Sequence, residues 1–228
     1  MKLDIKLIVK FFFFFIIKIY MNKFDLENLE TGDILLFSNI FKWYNPLTYP
    51  GKIIEIATRS PYSHVGIILK SPTYIDEKLT GTYLWESDAD GSKDAETGKI
   101  KFGVKLTPIE EVMQWKEYIY LKKINKTFSH KYDDESIKTL YDVTKDKPYD
   151  TNVIDWICAF FRNKLVKTDK RFFCSAFVGF ILVQLGFLKL SCDFSIIRPC
   201  DFDQNYSKYL ELYWIYYTAY SDDIIQIK

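Results

Sequence analysis

Cys174 opens an apolar stretch, FFCSAFVGFILVQLG, that reads as a helix beginning at the cysteine. Amides at a helix N-terminus lack intrahelical partners, and the helix dipole is positive there. Both favour a thiolate, and the same amides can stabilise an oxyanion. A buried cysteine also packs as a small hydrophobe, so position alone fits an inert thiol equally well. His64 lies in YSHVGIILK, a strand pattern, where it is either a general base or a satisfied core imidazole. Glu86 ends YLWES, the next strand along the chain. If the two strands pair, Glu86 lies beside the imidazole and fixes its tautomer, as the acidic member of a triad does. Asp88 and Asp90 are neighbouring alternatives, and Glu86 also reads as a solvated strand-end carboxylate. His130, in FSHKYD, reads as exposed.

The elements around these residues alternate first and turn helical later. Thr31-Gly32-Asp33 forms a turn before the buried run Ile34 to Phe37. Asn45 to Pro50 reads as a loop and Lys52 to Thr58 as a short helix stopped by Ser60-Pro61. In Tyr62 to Lys70, period two puts Tyr62, His64, Gly66 and Ile68 on one face. Residues 71–81 are a polar turn region, Thr82 to Ser87 a strand, and 88–98 a polar loop. Lys99 to Leu106 predicts a further strand. Thr107-Pro108-Ile109-Glu110 then predicts an N-cap, a first-turn proline and a capping box for a helix through Trp115. Tyr118 to Ile124 reads as a strand, and Asp133 to Lys145, Val153 to Phe161 and Cys174 to Phe187 as helices. The last should bury a stripe of Phe177, Val178, Ile181, Leu182 and Leu185. Tyr209 to Thr218 is assigned to a last strand. The fold class is α+β, in one domain from residue 24 to 228.

The 228 residues are 48% apolar and 27% charged, enough for a core. A net charge of +1, with no run of Lys/Arg longer than two, argues against nucleic-acid binding. The four cysteines, 158, 174, 192 and 200, match no small secreted framework and read as reduced. With two histidines and no CxxC, a structural zinc site is not expected. Residues 1–23 carry an apolar run, Phe11 to Ile17, shorter than a spanning helix and without a small-residue cleavage site. An uncleaved anchor, an interfacial segment and a true start at Met21 all fit it.

In order, these pieces resemble the circularly permuted branch of the papain-like NlpC superfamily, the YiiX-like proteins, with members in bacteria and large DNA viruses. The resemblance rests on Thr31-Gly32-Asp33-Ile34-Leu35-Leu36-Phe37, Ser63-His64-Val65-Gly66-Ile67, Trp85-Glu86-Ser87, Lys147-Pro148-Tyr149-Asp150, Phe173-Cys174-Ser175-Ala176-Phe177-Val178 and Arg198-Pro199-Cys200-Asp201-Phe202. The chain departs from it where an acidic residue commonly follows Ser175 and in the long 88–98 loop.

The resemblance implies an antiparallel sheet or small barrel packed against a helical half carrying the nucleophile helix. It implies a cysteine hydrolase or acyltransferase that cleaves an amide, ester or thioester through an acyl-enzyme on Cys174. His64 would be base and then acid, Glu86 its orienting group, and Tyr149 and Ser175 substrate-binding or oxyanion residues. No metal or organic cofactor is implied. The expected partner is a peptide or lipid substrate, with no nucleic acid. The expected setting is intracellular or virion-associated, with membrane contact through residues 7–20 if these belong to the native protein. The alternatives are a non-catalytic module binding a lipid, peptide or host protein, and a membrane-anchored structural protein.

Overall fold

The computed structural model describes residues 26–38, 49–116, 118–150 and 170–228. The N-terminal segment 1–23, the expected helix 153–161 and Cys158 lie outside the described residues.

Among the described residues, six antiparallel strands form one sheet: β1 (Ile34–Ser38), β2 (His64–Lys70), β3 (Thr82–Asp88), β4 (Gly103–Pro108), β5 (Tyr118–Lys122) and β6 (Ile225–Gln226). Their order is β4-β3-β2-β1-β5-β6, so β1 and β2 are central, and among the described residues the sheet stays open. The helices are α1 (Tyr49–Thr58), α2 (Ile109–Trp115), α3 (Asp134–Thr144) and α4 (Cys174–Gln184). No helix among the described residues is long and apolar enough to cross a membrane.

Strand alternation divides the core in two. Val65, Ile67, Leu69, Trp85, Val104 and Leu106 face the larger cluster, built with α4. Leu35, Phe37, Ile68 and Leu84 face the smaller one, under Ile109, Val112 and Met113 of α2. The first strand is anchored by Asp33, whose carboxylate accepts from the backbone of Glu30 and Ile124 and from Lys123. Gly32, at φ +97°, turns the chain tightly into it, and a Cβ there would lie 2.6 Å from the Tyr132 ring.

Several expectations are corrected. Tyr62 precedes β2 and joins the α4-side cluster, so the strand period does not reach it. The first helix begins at Tyr49, absorbing Pro50, which a first turn tolerates. Thr107 continues β4 instead of capping α2. Pro108 takes the N-cap position with no side-chain bond, so the expected capping box does not form. Strand β4 starts only at Gly103. All of Cys174 to Val183 is buried, so α4 is a central helix without a single stripe. Residues 209–218 contain a 3-10 turn, Leu210–Leu212, and a lone bridge from Trp214 to Leu188; the last strand is β6. That aromatic-rich tail packs by its side chains, with Tyr209, Tyr213, Trp214 and Tyr220 against the larger cluster.

Candidate active site

Alternation along Trp85-Glu86-Ser87-Asp88 builds the site from both faces of β3. Glu86 and Asp88 point to the α2 side, where His64 enters from β2. The Glu86 carboxylate meets His64 Nε2 at 2.6 Å, and its other oxygen accepts from the Thr107 hydroxyl at 2.6 Å. Both carboxylate oxygens are thus engaged, and the residue is buried. Asp88 Oδ2 lies 3.9 Å from the same imidazole nitrogen and 3.2 Å from Lys116 Nζ. Lys116 follows α2, its backbone N–H bonded to Val112, so the helix end sets where the ammonium falls. Lys105 faces Glu86 across the β3–β4 register and is paired to Asp90.

Ser87 points the other way and donates to the Phe172 carbonyl at 2.8 Å, two residues before Cys174. Asp150 N–H donates to the same carbonyl at 3.0 Å, and Phe172 N–H to Pro148 O at 3.2 Å. Tyr149 N–H in turn donates to Phe102 O at 3.2 Å, and Val104 N–H to Lys147 O at 3.1 Å. Residues 147–150 are therefore sewn between the start of β4 and the approach to α4. This close approach needs Gly103: its φ is +138°, and a Cβ would sit 2.3 Å from Lys147 O.

Helix α4 has no side-chain cap, because Phe173 holds the N-cap position. Its first-turn amides, Cys174's own included, therefore have no partner in a preceding turn. The buried Cys174 thiol lies near enough to His64 for its charge to act on the imidazole. With Nε2 taken by Glu86, Nδ1 is the ring nitrogen left for the sulfur. Burial alone would make His64 less basic. The charges of Asp88 and Cys174 and the bond to Glu86 overcome it, raising the imidazole from 6.5 to about 10. Burial also opposes ionisation of Asp88, yet Lys116, the imidazolium, Lys105 and the Ala89 amide hold it well below the usual carboxylate range. Tyr149 is raised well above its ordinary value by burial and by negative charge on Cys174, Asp88 and Asp150, so its hydroxyl stays protonated.

Cys174, His64, Glu86 and Tyr149 are thus brought together. Ser175 adjoins them in sequence, but its hydroxyl donates to Ile197 O at 2.7 Å and ties α4 to the following turn. Only its backbone amide remains for an oxyanion. His130 is exposed, its ring bonded to Thr127 O. Cys174, Cys192 and Cys200 are buried. Sequence reading missed Thr107 and Lys116. The first was spent on a capping box, and nothing local marks the second.

His64, Glu86 and Asp88 each offer a possible metal ligand within 4.8 Å of one another. In the structure Glu86 and His64 bond each other directly, and the Lys116 ammonium pairs with Asp88.

No family model and no curated protein matches the chain. Among solved structures, it is similar to one described as the metalloprotein YiiX from Escherichia coli O157:H7, at 20% identity and a TM-score of 0.42, over 72% of this chain and 68% of that one.

Proposed function

We propose that this protein is a cysteine-dependent hydrolase or acyltransferase with Cys174 as nucleophile, His64 as base and acid, and Glu86 as orienting group. The observation that carries the reading is a thiol at an uncapped helix N-terminus, in electrostatic reach of an imidazole whose Nε2 is held by a buried carboxylate at 2.6 Å. The β2 base precedes the α4 nucleophile in the chain, as in a permuted papain-like arrangement.

In this reading the sulfur attacks the carbonyl carbon of an amide, ester or thioester of a peptide or lipid. The carbonyl π electrons move to oxygen, which the first-turn amides of α4 and the Tyr149 hydroxyl receive. Collapse expels the leaving group, which takes its proton from His64, and leaves an acyl group on Cys174. Neutral His64 then takes a proton from water or another acceptor as that acceptor attacks the thioester. The tetrahedral adduct expels Cys174, and His64 ends protonated beside it. Glu86 keeps Nδ1 toward the sulfur throughout.

The test is labelling by an acyl-type thiol probe, followed on the peptide containing Cys174. Labelling is expected in the wild type, lost in Cys174→Ala, and slowed more than roughly tenfold in His64→Ala. Labelling that persists in Cys174→Ala overturns the nucleophile. A folded wild type that resists every acyl probe would favour a non-catalytic binding module instead.

A further inference from the structure

Glu86 alone would orient His64, yet a second carboxylate stands at the same nitrogen. Glu86 and Asp88 from β3 and Cys174 from α4 face the imidazole, and around Asp88 and Cys174 lie Asp90 from the loop after β3, Lys105 from β4, Lys116 from the end of α2 and Tyr149. Lys105 is matched by Asp90, Lys116 by Asp88, and His64 by Glu86. With the Cys174 thiol neutral, carboxylates and cations therefore balance only when the imidazole is protonated. With a neutral imidazole, one buried carboxylate is left over.

We propose that Asp88, clamped by Lys116, is a positioning residue whose carboxylate holds the His64 imidazolium in place against Cys174. The inference rests on the Cys174–His64 reading and adds a residue to it. Asp88 acts through the ring, which it approaches to 3.9 Å. Replacing it by asparagine keeps its shape and removes one negative charge, after which two lysines balance the two remaining carboxylates with His64 neutral. Removing Lys116 does the opposite, and removing both restores the original balance. A merely structural role for the pair does not produce this pattern of signs.

The chain has two histidines, so ring-labelled NMR titration resolves His64, with exposed His130 as internal reference. The full chain is titrated as wild type, Asp88→Asn, Lys116→Met, the double variant and Cys174→Ala. The His64 midpoint is expected to fall by about one pH unit or more in Asp88→Asn, an opposite charge at this range having been removed. It should rise in Lys116→Met and return toward wild type in the double variant, while His130 stays fixed. An unchanged midpoint in a folded Asp88→Asn overturns the proposal. If that variant does not fold, Lys116→Met decides, and a midpoint that is unchanged or lower overturns it. Cys174→Ala separates this inference from the one beneath it: a His64 midpoint indifferent to the thiol refutes the Cys174–His64 pair, whatever Asp88 does.

Discussion

At the residue scale, Glu86 is the side chain whose two oxygens hold the site in register. One meets the His64 ring; the other is fixed by a threonine on the neighbouring strand. Glu86→Gln keeps the shape but removes the charge, and the rate of probe labelling should fall roughly 10- to 100-fold. Thr107→Val leaves Glu86 Oε1 buried without its donor. It should cost about 1–2 kcal/mol in a urea melt and slow labelling a few-fold, because the carboxylate is freed to rotate off the ring. If Thr107→Val loses stability but labels at the wild-type rate, Thr107 serves packing alone.

At the element scale, β3 works because a strand presents successive side chains to opposite faces. Glu86 and Asp88 hold His64 on one side while Ser87 pins the approach to α4 on the other. Ser87→Ala should cost about 1 kcal/mol and slow Cys174 labelling while leaving the His64 titration in place. Gly103 has the corresponding role for the Tyr149 segment. Gly103→Ala forces a Cβ into Lys147 O at a backbone conformation that alanine resists, and should cost on the order of 2–4 kcal/mol. The check is a lower urea midpoint with an unchanged slope; a variant as stable as wild type would mean that residues 147–150 are not held against β4.

At the scale of the whole molecule, the buried charges tie stability to pH. The folded-state value of His64 is raised from 6.5 to about 10. Its contribution is therefore fully present below 6.5 and lost as pH rises through about 10. Asp88 is shifted the other way, so its contribution is present above its ordinary value and lost as the protein is acidified. Melting temperature should accordingly decline between pH 6.5 and 10, by roughly 2–10 °C for a His64 contribution of about 1–3 kcal/mol. His64→Gln should remove that part of the decline. An identical decline in the variant would assign it to other groups.

The positions of the sheet's alternating residues and the helix behind Cys174 were legible from the chain alone, because local periodicity and apolar run length decide them. So was the meeting of His64 with Glu86, because two neighbouring strands of alternating pattern set the two side chains on one face. Other features needed long-range contacts. Thr107 reads locally as a cap and becomes the Glu86 partner only when β4 lies beside β3. Lys116 joins the site because α2 folds back over the sheet. The aromatic tail lacks a strand because its side chains pack into the core while its backbone turns. Cys174 and His64 lie 110 positions apart in the chain. Their meeting depends on Ser87, Gly103 and the 147–150 segment, whose bonds form only once the sheet has assembled.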